Sequence, residues 1–151
     1  MTQNKLNFGV IGAGMIGKVH AEHLAFRISE TKLSAIADVN LSAAKELAER
    51  LRVNKTVGDY HEILADPSID AVAICSSTNT HAQIICEAAR AGKHIFCEKP
   101  ISYDLQKIDE ALSVVEKTGV KLQVGFNRRF DPNFARVRTA ITQGEIGDPH
   151  L

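Results

Sequence analysis

Three glycines near the N-terminus have the spacing of a phosphate-binding loop, GxGxxG, in the run Gly12-Ala13-Gly14-Met15-Ile16-Gly17. The run follows an apolar, strand-like segment and opens a helical pattern, as a dinucleotide-binding fingerprint requires. Gly12 permits the tight turn, Gly14 lets the backbone approach a pyrophosphate, and Gly17 lets the helix pack closely on the strand. Unpaired N–H groups at the helix N-terminus attract the anion. We predict that all six residues bind the cofactor; an ordinary glycine-rich turn is the alternative.

An acidic side chain follows at the position where a ribose-binding residue is expected. Asp38 ends the second strand-like run, about 20 residues after the glycine motif. Its carboxylate can accept hydrogen bonds from the adenosine ribose hydroxyls and would repel a 2′-phosphate. The next residues, Val39 and Asn40, offer no cation to such a phosphate. The sequence therefore predicts NAD rather than NADP, with Asp38 and Val39 in contact with it.

Polar residues also follow a strand-like run in the middle of the chain, in the segment Ser76–His81. Ligands of open parallel sheets bind at the carboxyl ends of the strands, near the point where the strand order reverses. Hydroxyl and backbone N–H groups there could line the pyrophosphate and the nicotinamide ribose. We assign the following residues to the cofactor site: Ser76, Ser77, Thr78, Asn79 and His81. Alternatively, Thr80 or Asn79 merely caps a helix that begins near His81.

The tripeptide Glu98-Lys99-Pro100 follows the next strand-like run. Proline favours an extended conformation at the residue before it, which directs the Lys99 side chain away from the strand end. A lysine in a closed cleft can take part in proton transfer or donate to a substrate oxygen. We predict that Glu98 and Lys99 contact the cofactor and that Lys99 is also the catalytic and substrate-binding residue. A solvated surface Glu–Lys pair is the alternative.

Amide and guanidinium donors follow the last strand-like run, in the segment Gly125–Asp131. Such groups can recognise hydroxyls or an anion. We predict that Asn127 and Arg128 bind the substrate; the alternative is a basic connector whose arginines pair with Asp131 or Glu145.

These residues need a framework that brings strand ends together. Short, nearly continuous apolar runs are typical of strands buried on both faces, and they occur at Asn7–Ile11, Leu33–Ala37, Ala71–Cys75, His94–Cys97 and Lys121–Gly125. We also predict a short strand within residues 53–59, followed by a helical turn at Tyr60–Ala65. Helical patterns lie between the strands. This alternation predicts an α/β fold with a Rossmann-type, doubly wound parallel sheet.

The helical patterns carry apolar residues at helical spacing. These predicted inner faces are Ala44–Leu47–Ala48–Leu51, Ile84–Ile85–Ala88–Ala89, Leu105–Ile108–Leu112–Val115 and Phe134–Val137–Ile141. Asn40 is placed as an N-cap, and Asp131-Pro132 as the N-cap and first residue of the last helix. The predicted helix ends are Gly92, Gly119 and Gly144.

Composition excludes several classes of protein. Eighteen Lys+Arg balance 18 Asp+Glu, which argues against nucleic-acid binding through a cationic footprint. No apolar run approaches the ~20 residues of a membrane span, and the first five residues are not followed by a signal-peptide core. The three cysteines are spaced unlike a zinc or disulfide motif, so we interpret them as buried thiols, with a catalytic thiol as the alternative. His20 and His23 are interpreted as exposed helix residues, and no metal site is predicted.

Together these motifs resemble the N-terminal half of the Gfo/Idh/MocA oxidoreductases, and most closely the inositol 2-dehydrogenase branch. The resemblance rests on the glycine loop, Asp38, Ser76–His81, Glu98-Lys99-Pro100 and Gly125–Phe130, in this order. It implies a Rossmann domain at residues 1–126 and a connecting helix at 127–151 that leads into a second α/β domain. Because full members are roughly twice as long, we expect a truncated chain that lacks this domain, with its catalytic aspartate and its histidine general base.

The resemblance implies hydride transfer from a polyol or sugar hydroxyl to NAD. The interpretation of the cysteines as buried thiols fits a reducing cytosol, so we expect the protein in the cytoplasm. We expect the longer form to be a homo-oligomer and the 151-residue chain to be a monomer or weak dimer. Another sugar dehydrogenase or an NAD-using glycosidase of the family remains an alternative. A non-catalytic dinucleotide-sensing module is an alternative of another class, although no basic recognition helix supports it.

Overall fold

Strands and helices alternate along the computed structural model, which describes residues 5–150. Residues 1–4 and residue 151 lie outside the described residues. The first four belong to the predicted domain 1–126 and to the N-terminal stretch without a signal-peptide core, and residue 151 belongs to the predicted connector 127–151. The strands are β1 (Leu6–Ile11), β2 (Thr31–Ala37), β3 (Lys55–Val57), β4 (Ala71–Ile74), β5 (His94–Cys97) and β6 (Leu122–Val124). The helices are α1 (Met15–Phe26), α2 (Leu41–Leu51), α3 (His61–Leu64), α4 (Thr78–Arg90), α5 (Leu105–Thr118) and α6 (Pro132–Thr142). A 3-10 turn at Asn127–Phe130 precedes α6.

The strands form one sheet in the order β3-β2-β1-β4-β5-β6, and every neighbouring pair is parallel. This is the doubly wound order of the Rossmann fold, so the predicted fold class is confirmed. The strand order reverses between β1 and β4, which places the predicted ligand crevice at the carboxyl ends of these two strands.

Side chains from alternate strand positions form a core on each face of the sheet. Val10 and Ile36 pack with residues of α1 and α2, whereas Ile11 and Ala35 pack with residues of α3 and α4. The predicted inner face of α2 is buried, and the Asn40 side chain accepts a hydrogen bond from the Ala43 N–H as its N-cap. The short strand β3 and the helical turn after it also lie where the sequence predicts them.

The α4 helix begins earlier than expected. Its first residue is Thr78, and Ser77 occupies the N-cap position without a side-chain capping bond. Neither Asn79 nor Thr80 is therefore the cap of a helix that begins near His81, and this alternative is wrong.

The apolar faces of α5 and α6 were predicted only in part. Ala111 is the buried residue of α5, while Leu105 and Leu112 are exposed. The predicted cap of α6 is confirmed, because the Asp131 carboxylate accepts from the Asn133 and Phe134 N–H groups. Its predicted inner face is nevertheless largely exposed, since α6 packs on the preceding 3-10 turn and only Ala140 is buried.

Within residues 5–150 no helix is long and apolar enough to cross a membrane. The same part of the chain contains no group of three or more side chains that could hold a metal ion.

Candidate dinucleotide-binding site

A crevice of about 400 Å³ lies at the carboxyl ends of the central strands. Its lining comes from the loops after β1, β2, β3 and β4 and from the first turns of α4. The residues that line it are Ile11, Gly12, Gly14, Ala37, Asp38, Val39, Gly58, Tyr60, Cys75, Ser76, Ser77, Thr80 and Ile84.

The three glycines of the motif have three different reasons to be glycine. Gly12 has φ +105°, and a Cβ there would lie 2.6 Å from the carbonyl carbon of Cys75 in the loop after β4. A Cβ on Gly17 would overlap the carbonyl oxygen of Gly12. Gly14 is the N-cap of α1, and its Cβ would meet nothing within 4 Å. Gly12 and Gly17 thus close the turn, while Gly14 leaves open a space beside helix N–H groups that fits a pyrophosphate.

The Asp38 carboxylate is fixed by two backbone groups. One oxygen accepts from the Ala13 N–H at 2.6 Å and the other from the Asn40 N–H at 2.8 Å. Each carboxylate oxygen can accept a second hydrogen bond, so the group remains able to bind ribose hydroxyls. The lining residues that the structure describes include no lysine or arginine, which leaves a 2′-phosphate without a cation in the crevice. Val39 is almost fully exposed beside it.

The other residues of the glycine loop contribute through their backbone. Ala13 is buried and donates to Asp38, whereas the side chains of Met15 and Ile16 face solvent. Both residues lie in the first turn of α1, where backbone N–H groups have no partner inside the helix and are available to an anion. Their assignment to the cofactor stays a prediction.

The loop after β4 is only partly in the crevice. Ser76 and Ser77 line it, together with Thr80, whose hydroxyl lies 2.7 Å from that of Ser76. Thr78 and Asn79, by contrast, are not among the lining residues, and Asn79 borders the surface groove between α4 and α5. Their assignment to the cofactor stays a prediction.

His81 is buried beneath this loop and does not line the crevice. Its Nδ1 lies 2.8 Å from the carbonyl oxygen of Pro100, and its Nε2 lies 3.0 Å from that of Ser76. The ring therefore connects the loop after β4 with the loop after β5. The predicted contact of His81 with the cofactor stays a prediction.

The Glu98 carboxylate is turned toward the protein. One oxygen lies 2.8 Å from Nε2 of His20 on α1, and the other accepts from the Lys99 N–H at 3.2 Å. His20 is half-buried against Phe96, with ring centroids 4.7 Å apart, so the interpretation of His20 as an exposed residue is wrong. The Lys99 side chain is exposed at the same strand end. This arrangement holds the backbone of the tripeptide and leaves the ammonium free to meet a ligand.

Asn127 and Arg128 lie on the exposed 3-10 turn, outside the crevice lining. The Asn127 side-chain oxygen accepts from the Arg128 N–H, and the Arg128 guanidinium lies 5.0 Å from the centre of the Phe134 ring. The alternative, in which the arginines of this segment pair with Asp131 or Glu145, is not seen: among the described residues, Arg136 is the residue that pairs with Glu145. The substrate-binding roles of both residues stay predictions.

The buried thiols do not suit nucleophilic chemistry. Cys75, Cys86 and Cys97 are all free and buried. Burial raises the pKa of the Cys75 and Cys97 thiols to about 12, so neither supplies a thiolate near neutral pH. The structure thus supports the interpretation of the cysteines as core residues.

Sequence reasoning missed part of the crevice wall. The unpredicted lining residues are Ile11, Ala37, Gly58, Tyr60, Cys75, Thr80 and Ile84. Most of them are apolar or small and have no signature beyond their place at strand ends. Tyr60 is held by Glu87, a residue 27 positions away, so no local spacing could have indicated it.

A parallel sheet of this order, with a phosphate cradle and a ribose-binding acid, defines a dinucleotide-binding domain. The family described as "Oxidoreductase family, NAD-binding Rossmann fold" (GFO_IDH_MocA) matches residues 6–126. The chain belongs to this family and contains its NAD-binding domain, and the resemblance found in the sequence is confirmed.

Individual relatives cover nearly the whole chain. It is 52% identical to "Uncharacterized oxidoreductase YrbE" of Bacillus subtilis over 95% of this chain and 42% of that protein. It is 46% identical to "Myo-inositol 2-dehydrogenase" of Thermotoga maritima over 97% of this chain and 43% of that protein. The chain therefore spans less than half the length of these relatives.

Solved structures agree with the fold. The scyllo-inositol dehydrogenase of Lactobacillus casei, with bound NAD(H) and scyllo-inositol, superposes with a TM-score of 0.90 at 35% identity. The match covers 96% of this chain and 43% of the other.

Proposed function

We propose that the chain is the NAD-binding part of an inositol 2-dehydrogenase, which oxidises a ring hydroxyl of inositol. The observation that carries the proposal is the joint presence of a built dinucleotide crevice and an exposed Lys99 on a held loop at the adjacent strand end. The Lactobacillus casei relative, which holds both NAD(H) and scyllo-inositol, supports this choice of substrate.

Each group of the chain would have a defined task. NAD, when bound, supplies the acceptor for the hydride that leaves the substrate carbon. The first turn of α1 and Asp38 would hold the dinucleotide, and Glu98 would keep the Lys99 backbone in place. The Lys99 ammonium would donate to the reacting hydroxyl oxygen and stabilise negative charge that develops there. Asn127 and Arg128 would donate to the other hydroxyls of the ring.

The proton of the hydroxyl needs a base, which the resemblance assigns to a histidine of the second domain. Residues 1–126 are then the dinucleotide domain and 127–151 a connector. We expect the 151-residue chain to bind NAD without turnover, as a monomer or weak dimer, and the longer enzyme to be a homo-oligomer. Three free, buried thiols fit a reducing compartment, so we propose the cytoplasm.

A chimera tests the activity. The chain would replace the matching residues of the Thermotoga maritima myo-inositol 2-dehydrogenase, and NADH formation would be followed with myo-inositol, scyllo-inositol and simple alcohols. We expect turnover with an inositol, and a loss of roughly 10²–10⁴-fold in the Lys99→Met variant. Lys45→Met, on the exposed side of α2, is the matched control and should retain activity. Unchanged turnover in a folded Lys99→Met chimera would show that Lys99 has no role in catalysis and belongs to a solvated surface Glu–Lys pair.

The second candidate function is that of a dehydrogenase of the same family that acts on a sugar rather than on inositol. A variant of KijD10, a 3-ketoreductase from Actinomadura kijaniata solved with TDP-benzene and NADP, superposes with a TM-score of 0.87 at 29% identity. Oxidation of hexoses without any oxidation of inositol by the chimera would favour this candidate.

A further inference from the structure

Two histidines contact the residues on either side of Lys99. His20 on α1 lies against the side chain of Glu98, and His81 on α4 lies against the backbone of Pro100. The two helices are those that follow crevice loops, since α1 begins after the glycine turn and α4 begins in the loop after β4. Both neighbours of the lysine are therefore attached to elements that form the dinucleotide crevice.

The contact between His20 and Glu98 is partly shielded from solvent. The exposed fractions of the two side chains are 24% and 16%, and the ring donates from Nε2, because a carboxylate only accepts. On the other side of the carboxylate, a Cβ at Gly125 would lie 3.1 Å from Oε1 of Glu98 and 3.1 Å from the Phe96 ring. Enclosed by α1 and by the end of β6, the carboxylate keeps its second oxygen on the Lys99 N–H.

The contacts of His81 are buried. Its exposed fraction is 2%, and its two ring nitrogens lie 2.8 Å and 3.0 Å from the carbonyl oxygens of Pro100 and Ser76. A neutral ring donates to one of these oxygens and an imidazolium donates to both. Hydrogen bonds are electrostatically stronger in the protein interior than in water. His81 therefore restrains the residue after Lys99 against the loop that lines the crevice.

The Lys99 side chain is exposed between these two attachments. Its ammonium stands at the end of a flexible four-carbon stem, so the space that it can reach depends on where the backbone is held. A group that donates to a reacting oxygen must lie within hydrogen-bond distance of it, and a misplacement of about 1 Å can lower the rate by about 100-fold. Restraints on both sides of the lysine therefore bear directly on catalysis.

We propose that His20 and His81 are positioning residues that fix the Lys99 backbone relative to the bound dinucleotide, so that the ammonium reaches the reacting hydroxyl. His20 acts through the Glu98 carboxylate, and His81 acts through the Pro100 carbonyl. The consequence for catalysis rests on the proposed function. The restraint on the loop involves no substrate and is tested separately.

Hydrogen exchange of the Lys99 N–H, measured by NMR on the 151-residue chain, tests the restraint. In His20→Ala this N–H should exchange roughly fivefold faster, because Glu98 is then less firmly held. His81→Asn, whose amide can replace only Nδ1 of the ring, should cause a smaller increase. His23→Ala, on an exposed position of the same helix, is the matched control and should leave the rate unchanged. Wild-type exchange of the Lys99 N–H in folded His20→Ala and His81→Asn proteins would overturn the proposal.

Turnover by the chimera tests the consequence for catalysis. His20→Ala should lower kcat by roughly 10–100-fold with little change in the KM for NAD, and His20→Gln, whose amide can replace Nε2, should recover part of the loss. In the Lys99→Met background His20→Ala should cause no further loss, because both substitutions act through one group.

The controls separate this proposal from the inositol proposal. A further loss from His20→Ala in the Lys99→Met background, or an equal loss of kcat in His23→Ala, would overturn the positioning role. If the unsubstituted chimera oxidises no inositol, the proposed function fails, and the exchange rates of the Lys99 N–H still decide whether the histidines hold the loop.

Discussion

The cofactor edge of the sheet and the α6 region differ in how completely their side chains find partners. Around the crevice, apolar residues of α2 and α4 are buried, and the polar groups of Asp38, Glu98 and His81 meet protein donors or acceptors. In the α6 region, Phe130, Phe134 and Val137 are about half exposed or more. The side chains around the crevice are thus buried or hydrogen-bonded, whereas the apolar face of the α6 helix is not covered by the described residues.

The comparison shows that nearby residues determine where a helix begins, whereas tertiary packing determines which of its side chains are buried. The start of α6 is fixed by its own residues, because Asp131 caps it and Pro132 suits the first helical position. Burial of its apolar face depends on another surface and cannot be read from helical spacing. The two regions should therefore respond differently to the same kind of substitution.

The largest contrast is expected in folding stability. Leu47→Ala removes a buried side chain from the core between α2 and the sheet and should lower the free energy of unfolding by about 2–5 kcal/mol. Val137→Ala on α6 should change it by no more than about 0.5 kcal/mol, since the side chain is exposed. Urea denaturation of both variants measures the two values. Equal destabilisation would mean that α6 is part of the folded core.

The glycine loop allows stability and binding to be separated within the crevice itself. Gly17→Ala forces a methyl group onto the Gly12 carbonyl and should cost about 1–3 kcal/mol of stability, with loss of NAD binding. Gly14→Ala meets nothing within 4 Å, so the fold should be retained. Its methyl group would still occupy the proposed pyrophosphate space and weaken NAD by roughly tenfold. Thermal unfolding and calorimetry with NAD measure both quantities; normal affinity in Gly14→Ala would contradict the assigned cradle.

The smallest expected effect is a dependence of stability on pH at His61. A hydrogen bond to Asp59, opposed by slight desolvation and aided by Glu87, raises the pKa of His61 above its ordinary value. The contribution of His61 to the free energy of unfolding is therefore fully present below the pKa of the unfolded state, about 6.5. It is lost as the pH rises through the higher pKa of the folded state. The difference in Tm between wild-type and His61→Asn proteins should shrink over this range. This difference in Tm should be small because the His61 side chain is exposed.

The parts of the molecule that follow from short-range patterns were predictable. Strand order, the glycine turn and the Asn40 and Asp131 caps depend on residues close together in sequence or on general rules of chain connection. Long-range pairing was not predictable: the bond between His20 and Glu98 joins residues 78 positions apart, and the bond between Tyr60 and Glu87 joins residues 27 apart. The exposed Leu105 and Leu112 show the same limit, because the apolar stripe of α5 did not reveal which of its edges faces the core.

Competition between NAD and NADP tests the central claim most directly. Calorimetric titration of the 151-residue chain should show binding of NAD at the crevice and markedly weaker binding of NADP, since Asp38 repels a 2′-phosphate. Asp38→Asn keeps the shape of the side chain and an acceptor for the Ala13 N–H but removes the negative charge. This variant should therefore have a smaller preference for NAD over NADP. Equal affinities for NAD and NADP in the wild-type chain, or an unchanged preference in Asp38→Asn, would contradict the account of this site.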